Sequence, residues 1–337
     1  MARLTLLALI RDQCRRPVPP VVSVDLTGKT VVVIGANTGL GFEASKHFAR
    51  MNPGRLILGC RDSGRGTAAL SRLKEETGYD GAELWLIDLA DFASVKSFAD
   101  KYEKEEGRLD YLVLNAAIVT RDYRSTKDGW ESSLQVNCLG PSLLALRLVP
   151  RMIETAQTHS VQPRVVLVSS EMHFWTSLDT QVLENQQPLQ VLSSKEYCTD
   201  KVMGRRYPDT KLLNVLFTRS LADHLADKPI IVNTVNPGYC ISEIRRELKG
   251  FTGFVLQGMD KLLAFTTEEG SRKLVWAALG GADQENLRGA YINAFQVAEP
   301  SDFVLSEQGK NLQNKIWNET LRILSDVDTR IAQFKEV

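Results

Sequence analysis

From Leu26 onward the chain alternates short β-branched runs with longer amphipathic stretches, and that alternation admits few folds. Candidate strands are Thr30–Ile34, Arg55–Cys60, Glu83–Ile87, Tyr111–Leu114, Val165–Val168, Ile230–Val235 and Ala290–Asn293. Candidate helices fall at about Gly41–Met51, Arg65–Thr77, Phe92–Glu106, Gly129–Thr158 and Tyr207–Ala226. Parallel neighbours joined through helices need right-handed crossovers, so the sheet should carry helices on both faces. Val165-Val166-Leu167-Val168 is apolar at every position, as a strand buried on both sides must be. The expected architecture is α/β, a doubly wound parallel sheet in one domain.

With 337 residues, 43% of them hydrophobic, the chain has enough apolar material for one large core. Lys plus Arg equals Asp plus Glu, a balance that gives no sign of a nucleic-acid groove or a polybasic membrane surface. The five cysteines are scattered without metal-ligand spacing, and the four histidines show no cluster, so no metal is expected. Reduced thiols and a cytoplasmic location follow from the same pattern.

Residues 1–24 read as an N-terminal arm, 25–300 as the α/β domain and 301–337 as a C-terminal helical extension, with helical periodicity over Leu305–Val327. Pro17-Val18-Pro19-Pro20 separates the arm from the domain. Leu4–Ile10 is apolar apart from Thr5 but far short of the roughly 20 residues a membrane span needs. It is expected to pack on the surface, with weak peripheral membrane contact as the alternative.

The glycine turn Gly35-Ala36-Asn37-Thr38-Gly39-Leu40-Gly41 follows the first strand and opens the first helix. Glycines let the backbone approach a pyrophosphate closely, and the helix start presents free N–H groups to it. This is the pattern of a dinucleotide site. The second strand ends in Cys60-Arg61. An acidic residue there would favour NAD, whereas the Arg61 guanidinium suits a 2′-phosphate, so NADP is expected and NAD is the less favoured cofactor. Asp62 beside it keeps the ribose contact open. Asp88-Leu89 and Asn115-Ala116-Ala117 close the third and fourth strands on the edge where ligands bind. Asp88 is placed to meet the adenine amine and Asn115 to bridge sheet and ribose, and both also suit strand-end capping.

Tyr207 and Lys211 stand four apart on a predicted helix and share a face. A phenol with a reference pKa of about 10 is a poor base, and a neighbouring ammonium favours its anion. Ser170, at the end of the preceding strand, is positioned to hydrogen-bond a reacting oxygen, and it lies farther out than Ser169. Asn137 is a candidate to hold a water near Lys211, or else simply bonds a nearby carbonyl. Tyr207 as acid–base, Lys211 as tuner, Ser170 as anchor and Asn137 make one constellation for hydride and proton exchange.

Together these residues resemble the short-chain dehydrogenases/reductases over roughly Leu26 to Asn293, and the turn with Cys60-Arg61 looks most like the retinol-dehydrogenase-like branch and its fungal relatives. The resemblance implies a Rossmann-type fold, NADP and a lipophilic carbonyl or alcohol substrate, in secondary metabolism (terpenoid or polyketide) or retinoid- or steroid-like metabolism. It also implies that Asn236-Pro237-Gly238 and Ser242 contact the nicotinamide, and that a homodimer is a common outcome. Two positions depart from the family: Ile34 where Thr is usual, and Ala117 where Gly is usual. The family's substrate cover would correspond to Phe251, Phe254, Val255, Leu256, Met259, Leu262, Leu263 and Phe265, which read equally as core or an oligomer surface. His173 reads as a loop histidine, or as a contact to a polar group of the substrate. A nucleotide-binding regulator without turnover is the reading from another class.

Overall fold

Along the first strand Val31 and Val33 face one side and Val32 and Ile34 the other, and all four are buried. A strand without a solvent side needs cover on both faces, and that requirement organises the molecule. The computed structural model describes residues 11–14, 17–105, 107–176, 178–241, 263–281 and 285–335.

Strands β1 (Thr30–Ile34), β2 (Arg55–Cys60), β3 (Ala82–Leu86), β4 (Tyr111–Leu114), β5 (Arg164–Val168), β6 (Ile231–Val235), β7 (Tyr291–Asn293) and β8 (Gln296–Ala298) form one sheet. Their order is β3-β2-β1-β4-β5-β6-β7-β8. Every pair is parallel except the last, where β8 returns antiparallel to β7. Strand β8 escapes the sequence reading because its turn lacks the usual residues. Ala294 and Phe295 both take positive φ, 48° and 64°, as a two-residue hairpin turn demands, where Asn and Gly are the usual occupants.

The main helices are α1 (Gly39–Ala49), α2 (Ser63–Thr77), α3 (Phe92–Lys104), α4 (Gly140–His159), α5 (Arg206–His224), α6 (Thr267–Leu279) and α7 (Glu307–Val327). Side chains of α1, α2 and α6 build the core on one face, and those of α3, α4, α5 and α7 build it on the other. The C-terminal helix is therefore part of the core: Leu312, Ile316, Trp317, Leu321 and Leu324 of α7 are buried with residues of α5. Its buried Glu319 caps the short helix Pro188–Ser193, accepting from Leu189 N (2.6 Å) and Gln190 N (3.1 Å). Among the described residues no helix is long and apolar enough to cross a membrane.

The expected helix Gly129–Thr158 is in fact broken into three pieces. Gly129 has φ +86°, and the Glu131 carboxylate caps a short turn, accepting from Ser133 N (2.8 Å) and Leu134 N (3.0 Å). A wider π turn, Gln135–Leu139, follows before α4 begins. A Cβ at Gly140 would sit 2.6 Å from the Leu89 carbonyl oxygen, so this end of α4 is held against the end of the third strand. Every residue from Gln135 to Val149 is buried, so the segment has no polar face whose shift would mark the break.

Candidate active site

Strand β1 borders both β2 and β4, so the strand order reverses at β1 and a crevice opens at the carboxyl ends of β1 and β4. A cleft of about 840 Å³ lies there. The glycine turn forms one wall. Gly35 has φ +82°, and a Cβ would fall 2.8 Å from Ala116 Cα. A Cβ on Gly41 would fall 2.2 Å from the Gly35 carbonyl oxygen, and Asn115 Nδ2 donates to that same oxygen at 3.0 Å. Gly39, at φ +61°, has open space where a Cβ would be, so its backbone faces the cleft.

Thr38 caps α1 only through its extended backbone: its side chain makes no cap hydrogen bond, and the first turn carries no acidic residue. The leading N–H groups of α1 thus remain available to an anion, and Asn37, Thr38, Gly39 and Leu40 line the cleft around them. These residues fit a dinucleotide pyrophosphate. Ile34, the departure from the family pattern, is buried over Gly59; its Cδ1 occupies space 2.5 Å from where a Gly59 Cβ would be. The missing glycine side chain accommodates the larger residue. Ala117 lines the cleft beside Ala116.

At the far end, Arg61, Asp62 and Arg65 line the cleft. Asp62 is committed as the cap of α2, its Oδ1 accepting from Arg65 N at 2.8 Å. Arg61 and Arg65 are exposed cations. Arg65 was missed because it reads from the sequence as an ordinary helical surface residue. Asp88 also lines the cleft while its Oδ1 accepts from Ala90 N at 2.9 Å, so it caps its strand as well.

Ser170, Tyr207 and Lys211 line the same cleft at the ends of β5 and α5. Lys211 is buried, its Nζ donating to the Val168 carbonyl at 2.7 Å and lying 5.3 Å from the centre of the Tyr207 ring. The Ser169 hydroxyl donates to the Lys211 carbonyl at 2.9 Å, whereas the Ser170 hydroxyl, half-buried, accepts only from Met172 N at 3.2 Å and keeps its own proton to give. Asn137 sits in the π turn. Its Oδ1 accepts from Ile118 N (2.8 Å), and its Nδ2 donates to Ile118 O (2.9 Å) and Thr210 Oγ1 (3.1 Å). Both amide hydrogens are used, leaving one Oδ1 lone pair for any water.

His173 is buried. Its Nε2 accepts from Ser301 N at 3.2 Å, so Nδ1 carries the proton and donates to the Ser170 carbonyl at 2.7 Å. Burial pushes its pKa down to about 4, and the neutral ring ties the Ser170 loop to the C-terminal segment rather than meeting a substrate. Pro237 and Gly238 line the cleft. Ser242 and the candidate cover residues 251–262 lie outside the described residues, and Phe265 packs with Val18 and Cys240 instead of over the cleft.

Burial lowers the Lys211 pKa to about 8. The ammonium form is the one that is penalised, so stability is full above the unfolded value and falls as pH drops from about 10.5 to about 8. The shift corresponds to roughly 3 kcal/mol. Lys211→Met is therefore expected to raise stability at pH 7 while abolishing turnover. Urea unfolding of the variant and the parent at pH 7 and pH 10 checks this, since the gain should shrink at the higher pH.

A doubly wound sheet with a phosphate turn and a Ser–Tyr–Lys set along one cleft defines a nicotinamide-dependent oxidoreductase. The family model for short chain dehydrogenases matches residues 29–177, a segment that ends before Tyr207. A short-chain dehydrogenase of Penicillium roqueforti is 37% identical over 315 residues, covering 91% of this chain and 80% of the relative. A short chain dehydrogenase/reductase of a Cryptosporiopsis species is 35% identical over 305 residues, covering 89% and 92%. Among solved structures, the L-sorbose reductase of Gluconobacter frateurii, complexed with NADPH and L-sorbose, has a TM-score of 0.58 at 20% identity, covering 81% of this chain and 98% of that one. The chain belongs to the short-chain dehydrogenase/reductase family.

Proposed function

We propose that this enzyme uses NADP to interconvert a carbonyl and an alcohol on a lipophilic small molecule. The observation that carries the reading is the single cleft in which Arg61 and Arg65 stand at one end and Ser170, Tyr207 and Lys211 at the other. Two guanidinium groups suit a 2′-phosphate, and the Asp62 carboxylate between them is engaged through Oδ1 as a helix cap. The lining on the side of the catalytic set includes the apolar Ile118, Val136, Met172 and Met203. Such a lining suits a hydrophobic substrate with few polar handles. The likeness to fungal short-chain dehydrogenases supports a place in secondary metabolism, on a terpenoid-, polyketide- or steroid-like compound.

NADP supplies or accepts the hydride when bound. In the reducing direction the Tyr207 phenol gives its proton to the substrate oxygen, and Ser170 donates a hydrogen bond to that oxygen. The Lys211 ammonium stabilises the phenolate left on Tyr207. Its other free hydrogens are available to ribose hydroxyls.

Fluorescence titration with NADPH and NADH tests the reading. Arg61→Ala is expected to weaken NADPH about 10- to 100-fold, the worth of a charge-assisted contact, and to leave NADH nearly unchanged. Equal losses for both nucleotides would remove the NADP assignment. Nucleotide binding without turnover on any lipophilic ketone or alcohol would favour a regulator instead.

A further inference from the structure

The loop Pro237–Cys240 lines the cleft, and its backbone is held from behind by side chains that the proposed reaction does not use. Lys273 of α6 is buried and donates Nζ to the Pro237 carbonyl at 2.8 Å. Gln13 of the N-terminal arm is buried too, and its Nε2 donates to the Tyr239 carbonyl at 2.9 Å. Between these anchors Gly238 has φ +80°, and a Cβ there would meet Lys273 Nζ at 2.8 Å and Gln13 Oε1 at 2.9 Å. The loop thus rests directly on the two side chains.

The same arm reaches the opposite wall. Val18 is buried with Cys240 and Phe265, and Leu40 of the phosphate turn packs against that cluster. Gly270 of α6 permits the approach, since a Cβ there would fall 2.4 Å from Cys240 Sγ and 2.8 Å from Leu40 Cδ2. Arg272 holds the arm, donating to the Val18 and Pro19 carbonyls at 3.3 and 3.1 Å. Asp12 accepts from Asn293 at 3.2 Å, Asn293 accepts from Asn236 at 3.0 Å, and Asn236 accepts from Glu171 N at 3.2 Å, next to Ser170.

We infer that residues 11–14 and 17–19 of the N-terminal arm are part of the cofactor site: Gln13 braces the Pro237–Cys240 loop from behind, Val18 joins the cluster on which Leu40 of the phosphate turn packs, and together they set the separation of the two walls. The inference rests on the nicotinamide reading above. Gln13 and Val18 are positioning residues, and they touch no reacting atom. A dinucleotide that spans both walls then binds only as tightly as the arm is docked, while a fragment confined to the adenosine end is indifferent to it.

The test uses full-length protein carrying Gln13→Met, which keeps the side-chain length and removes the donor. Val18→Ala serves as a second variant that keeps the hydrogen bond, and Lys310→Ala, exposed on α7, is the control. Each is titrated with NADPH and with the adenosine bisphosphate corresponding to the adenosine end of NADPH, and its melting temperature is recorded. The expected result is a roughly tenfold rise in the NADPH dissociation constant, and in its KM, for Gln13→Met. A smaller rise is expected for Val18→Ala, with adenosine bisphosphate affinity unchanged in both. Unchanged NADPH affinity, or equal loss of both ligands, would overturn the inference. Parent protein that binds neither ligand would overturn the nicotinamide reading itself, and the inference with it.

Discussion

Tyr207→Phe is expected to lower kcat about 1000-fold while leaving NADPH affinity within a factor of about two, because general acid–base transfer contributes on the order of 10²–10⁴ and the ring itself is retained. The change removes one hydroxyl from a half-buried residue at the cleft, so neither the fold nor the dinucleotide walls should respond. The parent should also show kcat/KM for reduction falling as pH rises through about 8, where Lys211 loses the charge that favours the phenolate. Stopped-flow or steady-state assay with a lipophilic ketone, together with NADPH titration, separates the two effects. Substantial residual kcat in Tyr207→Phe would mean that another group moves the proton, and the role assigned to Tyr207 would fall.

Arg206→Met is expected to cost about 3–5 kcal/mol of stability, because it leaves a carboxylate buried without its cation. Arg206 and Glu131 are both fully buried, with Nε 3.3 Å from Oε2. Arg206 also donates to the Leu192 carbonyl at 2.7 Å and approaches Cys198 Sγ at 3.0 Å. Its Nε and Nη1 make no well-aligned hydrogen bond, so the pair's own geometry offsets desolvation only partly. Breaking the pair should therefore hurt more than replacing it, and Arg206→Met with Glu131→Gln should recover part of the loss. Urea denaturation of the two variants decides the point: a single-variant loss below about 1 kcal/mol would show that the pair carries little. The location matters as well as the energy. Arg206 precedes Tyr207, and Glu131 caps the segment that carries Asn137, so this ion pair ties two parts of the active site together.

Much of the site was legible in the chain because its residues lie at strand ends and helix starts. Gly35, Gly39, Gly41, Asn115, Ser170, Tyr207 and Lys211 all reach the cleft or its immediate supports in the observed sheet order. Position alone favours Ser170 over Ser169, and in the structure it is the Ser169 hydroxyl that is engaged, by the Lys211 carbonyl. Strand boundaries agreed to within about a residue for the same reason: β-branched runs end where the sheet ends.

What periodicity and motif spacing could not supply were contacts between segments far apart in the chain. Arg65 joins Arg61 only because Asp62 turns the chain into α2. The π turn around Asn137 exists because Asn137 clamps Ile118 and Gly140 abuts the Leu89 carbonyl. His173 reads first as a loop histidine and second as a substrate contact, and its hydrogen bonds with Ser301 and Ser170 fix its tautomer and its structural role.

The sequence by itself determined the doubly wound sheet, the phosphate turn and the Tyr–Lys pair, because each is written in local spacing that one strand or one helix can express. Only the tertiary structure decided the roles of the two ends of the chain. The arm docks through Gln13, Val18 and Asp12 on partners more than 200 positions away, and α7 completes the core over α5. Such contacts depend on the packing of many elements at once, and no local pattern encodes them.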